Sequence, residues 1–245
     1  MVQSQIVIGQ LAGALATLVV MLFSPGQTLA ATGTPDRLVS DFRLTASPSQ
    51  VDQLVAAIES SPPLKAEFVT LIASGKFEKF EIVPSSDPRL KDTPFQARVA
   101  NGRIIFTANF LEAQRPKRLF DVVQEGDVIP DNLVFVLGHL AEHLEHPFEI
   151  PDPRPSREQF LSLVLHDEAS AYIAGWNALA ASLPGKSSVI RDGSALMNLR
   201  YRAVFIHAMD AVPDLINEQG QIAPLPANRD AIANALKASP VADFQ

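Results

Sequence analysis

The 245-residue chain contains no cysteine, which excludes disulfide bridges and any metal site built from thiolates. A bound metal ion must therefore be held by histidine and carboxylate side chains. Histidine is itself scarce, with five in the whole chain. Acidic residues outnumber basic ones by 27 to 20, so the net charge is −7 at pH 7. With no basic stripe in the sequence, a nucleic-acid-binding surface is not expected.

Charged side chains are also absent from residues 1–30. Ile6 to Phe23 form a nearly unbroken apolar run, followed by Pro25-Gly26 and the small residues Ala30-Ala31. This arrangement is typical of a cleaved signal peptide, and the run is also long enough for an uncleaved N-terminal membrane anchor. In either case we expect residues 31–245 to form a single exported domain, periplasmic or secreted, that contacts the membrane only through such an anchor.

Three of the five histidines lie in the stretch 133–146, LVFVLGHLAEHLEH, whose apolar residues follow a helical period. At about 100° per residue, His139 and His143 lie on one face of this helix, one turn apart. Two imidazoles at this spacing can share a tetrahedral metal ion. Glu142 lies about 60° from His139 and can act as a general base on a metal-bound water. His146 falls on the same stripe, and we expect it to be a spare surface residue.

The next long helix, predicted from its N-cap Ser156 to about Ser182, supplies a candidate third ligand. Glu168 lies in the middle of the buried face of this helix, where a carboxylate without a partner is costly. Small residues around it would let the helix approach the histidine helix closely. Two imidazoles and a carboxylate make a three-ligand zinc site with an open position for water. The alternative for Glu168 is a buried ion pair with Arg191, Arg200 or Arg202.

Further polar residues have expected roles or alternatives near such a site. Asp167 lies at the edge of the buried face and can orient a ligand imidazole. His207, on a later helix, is either a satisfied core histidine or a donor that stabilises an oxyanion. His166 points away from the buried face, so we expect it to be exposed. The alternative for His139 and His143 is a solvated polar edge of their helix.

The remaining signals predict an α+β fold. Asn101-Gly102 separates two β-rich runs and is the strongest local signal for a hairpin. Together with a strand at 77–83, this hairpin predicts a small antiparallel sheet within residues 77–107. Other helices are predicted at 49–59, 64–74, 109–114, 117–124, 194–209 and 228–238. The domain then consists of N-terminal helices and sheet (48–107), metal-site helices (131–182) and C-terminal helices (187–245).

The residues His139-Leu-Ala-Glu142-His143 match the HxxEH pattern of the inverzincin metallopeptidases. A strand ending in Ile-Ile-Phe, an intervening segment and a His-x-x-x-His helix resemble the layout of zincin-type metallopeptidases over residues 95–180. Glu168 resembles the third zinc ligand of the thermolysin-like group. The resemblance implies a predominantly helical zincin-like core, a bound Zn²⁺ and a peptide or protein substrate. It also implies an edge strand, here Arg103 to Thr107, that pairs with an extended peptide.

The chain departs from zincins of this layout at position 140, where leucine replaces the glutamate that directly follows the first histidine. Glu142 restores a carboxylate on the mirrored side, as in the inverzincins. The first hypothesis is an exported, zinc-dependent metallopeptidase-like hydrolase. The second is a catalytically inactive metallopeptidase-like envelope protein that binds a peptide or protein partner. The third is a helical envelope domain without a metal, and no signal supports a nucleotide, haem or flavin site.

Overall fold

The structure is a computed structural model, and it describes residues 38–90, 97–113, 133–183 and 199–239. These residues belong to the unit Gly33–Gln245. The predicted signal peptide or anchor and the helix predicted at 117–124 lie outside the described residues. No helix within the four described ranges is long and apolar enough to cross a membrane.

The described chain combines α-helices with a three-stranded sheet, which confirms the α+β fold class. The helices are α1 (Pro48–Ser60), α2 (Pro62–Ala73), α3 (Ala108–Ala113), α4 (Leu133–Glu145), α5 (Arg157–Ser182), α6 (Leu199–Ala211) and α7 (Pro226–Ala238). The strands are β1 (Lys79–Val83), β2 (Ala97–Ala100) and β3 (Arg103–Thr107). Where the predicted elements fall on described residues, their bounds agree with the structure to within a few residues.

Helices α1 and α5 begin in the same way, with a serine that caps the first turn. The Ser47 hydroxyl accepts a hydrogen bond from the backbone N–H of Gln50, whose side chain in turn accepts one from the Ser47 N–H. Ser156 and Gln159 form the same reciprocal pair at the start of α5. These bonds satisfy backbone donors that have no partner within the helix. The predicted N-cap of α5 at Ser156 is therefore confirmed.

The sheet has the strand order β1-β3-β2. Asn101 and Gly102, with φ angles of 50° and 74°, form the tight turn that makes β2 and β3 an antiparallel hairpin, as predicted. The prediction of a wholly antiparallel sheet is wrong, because β1 pairs with β3 in parallel, with Lys79 opposite Arg103. The physical reason is the connection after Val83, which carries the chain to the far side of β3 before the hairpin begins.

Strand β3 lies in the centre of the sheet, which corrects the expectation that Arg103 to Thr107 form an edge strand. Both sides of β3 are hydrogen-bonded, to β1 and to β2, so it has no free edge for a peptide. Ile104 and Phe106 face the main core, while Ile105 belongs to a small apolar cluster on the other face of the sheet. Among the described strands the edges are β1 and β2, and β2 lies next to α4.

Helix α4 is the most deeply buried helix segment, since every residue from Leu133 to Ala141 is buried. The ring of Phe135 packs against three aromatic rings at centroid distances of 5.7 to 6.0 Å: Tyr172 on α5 and Tyr201 and Phe205 on α6. The polar residues of α4 therefore belong to a helix whose first nine residues are surrounded by protein and not by solvent.

Helices α4 and α5 approach each other so closely at Gly138 and Gly175 that their backbones touch. A Cβ atom on Gly175 would lie 2.6 Å from the carbonyl oxygen of Phe135. A Cβ atom on Gly138 would lie 2.8 Å from the Cβ of Ala178 and 3.0 Å from the carbonyl oxygen of Ala174. Both positions therefore require glycine at this separation. The predicted close approach between the two helices is confirmed.

We expect Gly175→Ala to reduce the free energy of unfolding by about 1–3 kcal/mol, because the new methyl group forces two backbones apart. In an open helix the same change stabilises by about 1 kcal/mol, so the sign of the effect is diagnostic. Chemical denaturation measures it, with the exposed Ser162→Ala on the same helix as the control. A variant as stable as the unmodified chain would show that the two helices do not pack this closely.

Candidate metal centre

Three predicted ligand atoms converge between α4 and α5. The Nε2 atoms of His139 and His143 lie 3.2 Å apart. One carboxylate oxygen of Glu168 lies 3.5 Å from Nε2 of His139, and the other lies 3.5 Å from Nε2 of His143. The structure thus brings together three residues that can hold a metal ion.

The spacing and chemistry of these atoms fit a tetrahedral metal ion. With bond lengths of about 2.0–2.2 Å, two ligand atoms on tetrahedral zinc lie about 3.3–3.5 Å apart. The two imidazole nitrogens lie 3.2 Å apart, and each lies 3.5 Å from one of the two Glu168 oxygens, so every one of these separations is close to this range. Two imidazoles and one carboxylate also match the protein ligands of known catalytic zinc sites, which leave a fourth position open.

Asp167 occupies the position expected of a residue that orients a ligand. Its Oδ2 lies 3.3 Å from Nδ1 of His143, the ring nitrogen that faces away from His139 and Glu168. An N–H at Nδ1 donated to Asp167 leaves Nε2 of His143 available to a metal ion. Two consecutive residues of α5 therefore have different roles. Asp167 orients the His143 ring through Nδ1, and Glu168 lies beside Nε2, where the metal ion would bind.

The pKa values of the two histidines are shifted in opposite directions. Burial lowers the pKa of His143, but hydrogen bonds and charges from Asp167 and Glu168 outweigh it and raise the pKa to about 9. Burial, together with the charge of His143, holds the pKa of His139 well below its usual range. Near neutral pH a proton therefore stays on His143 while His139 is neutral. A metal ion that binds both rings displaces that proton.

The alternatives from the sequence are decided by burial and contacts. His139 is 2% exposed, so a solvated edge is wrong for this residue, whereas the side chain of His143 is half-buried. Glu168 contacts the histidines, and it forms no ion pair with Arg202 in the described structure. Arg191 lies outside the described residues, as does the side chain of Arg200.

Glu142 lies one turn further round α4, in a second group of polar residues. Its carboxylate is 3.2 Å from Nδ1 of His146, which is exposed as predicted. Glu145 completes this group, whose ligand atoms are also close enough to share an ion. Burial and the negative charges of Glu142 and Glu145 raise the pKa of Glu67, on α2, to about 8.

Glu67 is not among the residues predicted from the sequence, although its position in α2 carries a signal. At about 100° per residue, Glu67 falls on the border of the apolar face formed by Leu64, Phe68 and Leu71. A carboxylate at such a border faces the neighbouring helix. The sequence does not show that this neighbour is α4, because α2 and α4 are far apart in the chain and meet only in the folded structure.

A cavity of about 520 Å³ lies next to Asp167 and Glu142, while the three metal ligands themselves are not among the described residues that line it. Glu142 on α4, His146 directly after α4 and Asp167 on α5 line it. Its volume lies in the range of about 300–1,000 Å³ that is usual for pockets that bind small ligands. The cavity therefore offers room for a small ligand at the carboxylate of Glu142.

The two remaining histidines lie outside the metal group. His166 is exposed as predicted, and its Nε2 pairs with Asp230 at 2.9 Å. His207 is also exposed, so its interpretation as a core histidine is wrong. The buried residues of α6 include Val204 and Phe205, and at about 100° per residue His207 lies beyond the edge of the buried face, about 110° from its middle. It neither belongs to the metal group nor lines the cavity.

In comparisons with protein-family models, with curated proteins and with solved structures, no match to this chain is found.

We expect Asp167→Asn to weaken zinc binding about 10- to 100-fold, because the His143 ring loses the carboxylate that orients it. In the metal-free chain the same change should lower the pKa of His143 from about 9, since one of the two carboxylates that raise it becomes neutral. Zinc titration and NMR of the histidine rings measure the two effects, with the exposed Asp214→Asn as the control. Unchanged zinc affinity would contradict the assigned role of Asp167.

Proposed function

We propose that the chain is an exported, zinc-dependent metallopeptidase-like hydrolase in which His139, His143 and Glu168 hold the zinc ion. The observation that carries the proposal is the convergence of two imidazole nitrogens, 3.2 Å apart, with the Glu168 carboxylate, whose two oxygens each lie 3.5 Å from one of them. Export rests on the apolar segment in residues 1–30, as a cleaved signal or an anchor.

The donor set suits zinc and other first-row transition metals better than magnesium or calcium, and zinc is the ion that the hydrolase proposal requires. Two imidazoles favour zinc, copper, iron or nickel over magnesium and calcium, which prefer oxygen ligands. A single carboxylate completes the three protein ligands found in several zinc hydrolases. When bound, zinc acts as a Lewis acid that polarises a carbonyl group and lowers the pKa of water.

The residues around the ligands supply the remaining functions of a hydrolase. The cavity receives the peptide, and Glu142 in its wall accepts a proton from the attacking water. Asp167 holds the His143 ring in one orientation, so the ligand atoms are positioned before the substrate arrives. Dense packing of α4 fixes both histidines. His207 has no part in this proposal.

The second candidate is a non-catalytic protein that uses the same cavity to bind a peptide or protein partner. Two observations favour it. Leu140, at the position where zincins of similar layout carry their base, is 3% exposed and belongs to the core. Glu142, the substitute base, is 3.2 Å from His146, which competes for its carboxylate.

Glu142→Gln separates these two functions. Under the first proposal, hydrolysis of a defined peptide mixture by the zinc-loaded protein should fall about 10²- to 10⁴-fold, the usual contribution of a general base. Zinc binding should be unaffected. Mass spectrometry of the products measures cleavage. Glu145→Gln is the matched control, because it makes the same change on the same helix at a residue outside the cavity wall. An unmodified protein that binds zinc and cleaves no peptide would favour the non-catalytic function instead.

A further inference from the structure

The cavity beside the metal ligands is elongated along α5. Asp167, Ser170, Ala174 and Asn177 all line it, and they follow one another at intervals of three or four residues on one helix face. At 1.5 Å per residue, this stripe is about 15 Å long. A ligand that begins beside Asp167, the residue next to Glu168 in the chain, can therefore extend along the helix, which is the shape expected for a short peptide.

Most polar groups in the cavity wall already have partners. The Ser170 hydroxyl donates to the carbonyl oxygen of His166. The side-chain amide of Asn177 donates to the carbonyl oxygen of Ile222, and its oxygen accepts from the backbone N–H of the same residue. These groups are used by the fold, so they are poorly placed to select a ligand.

Arg229, on α7, differs from these residues. Among the described residues that line the cavity it is the one arginine or lysine, and it is half-buried. Within the described part of the chain, its guanidinium group forms neither an ion pair nor a side-chain hydrogen bond. The acidic neighbour Asp230 pairs with His166 at 2.9 Å instead. A cation that lines a cavity without an anionic partner is suited to bind an anion from the ligand.

The position of Arg229 is fixed by the contacts of α7 with α5. The two bonds between Asn177 and Ile222 attach the segment before α7 to α5. The side chain of Asn228 donates to the carbonyl oxygen of Ala223, which holds the first turn of α7. The His166–Asp230 pair attaches the next turn to α5. The guanidinium group is therefore presented by a rigid element rather than by a loop.

Charges in the cavity wall limit which anions fit. Glu142 and Asp167 lie in the same wall, and each is close to a histidine, at 3.2 and 3.3 Å respectively. Two carboxylates would repel a dianion more strongly than a singly charged group. A monoanion with two oxygens also matches the planar, bidentate geometry of a guanidinium group.

We propose that Arg229 binds a carboxylate of a peptide ligand in this cavity, either the C-terminal carboxylate or an acidic side chain. The inference rests on the proposed function for the choice of a peptide, and its test does not require hydrolysis. Arg229 thereby selects peptides with a carboxylate at a set distance from the metal ligands.

The test measures peptide binding to the metal-free chain by NMR, so that a carboxylate cannot bind a zinc ion instead. Three probes are used: N-acetyl-trialanine, its C-terminal amide, and N-acetyl-Ala-Ala-Glu amide. We expect one or both carboxylate peptides to bind about 10- to 100-fold more tightly than the neutral amide, as for hydrogen bonds to charged groups. The preferred probe identifies the C-terminus or the acidic side chain as the source of the carboxylate.

Arg229→Gln should lower the affinity for the carboxylate peptides to that for the neutral amide. Arg157→Gln, at an exposed position of α5, should leave the preference for carboxylate peptides unchanged. Circular dichroism verifies that both variants are folded. Equal binding of all three probes, binding of none, or a preference retained in Arg229→Gln would overturn the proposal. Because hydrolysis is not measured, failure of the peptidase proposal appears separately, in the Glu142→Gln experiment.

Discussion

The close crossing of α4 and α5 is the constraint on which the candidate site depends. Gly138 and Gly175 let the two backbones touch, and a single methyl group at Gly175 would lie 2.6 Å from the carbonyl oxygen of Phe135. Only at this separation can a carboxylate on α5 reach two imidazoles on α4 at 3.5 Å. The metal ligands are thus positioned by backbone packing. The electrostatics follow from the same packing, which buries His139 and surrounds His143 with two carboxylates.

Features encoded by neighbouring residues could be predicted from the sequence. The cap at Ser156, the Asn101-Gly102 turn and the apolar period of α4 are local patterns, and each produced the expected element. The association of His139, His143 and Glu168 could also be predicted, because helical spacing places two of these residues on one face. The third required a physical argument, since a carboxylate among apolar positions needs a partner. Small residues on α5 then indicated which helix would supply it.

Features that depend on the path of the chain through space could not be predicted. Whether β1 joins the hairpin in parallel or antiparallel orientation is decided by a crossover connection, which leaves no periodic pattern. Glu67 lies near Glu142 and Glu145, and Arg229 lines the cavity, but both belong to helices that are distant from α4 in the sequence, so their own segments do not show which residues they face. His207 shows the opposite error, because a helical face does not reveal whether it is turned towards the core or towards water.

Zinc stoichiometry and affinity in four proteins test the central claim most directly: the unmodified chain, His143→Ala, Glu168→Ala and His146→Ala. The account predicts about one zinc ion per chain, lost in His143→Ala, weakened in Glu168→Ala and unchanged in His146→Ala, since His146 follows the same helix but does not belong to the group of His139, His143 and Glu168. No zinc in the unmodified chain, or full binding by His143→Ala, would contradict it. If His146→Ala lost zinc while Glu168→Ala bound it normally, the metal would be assigned to Glu142, Glu145 and His146 instead.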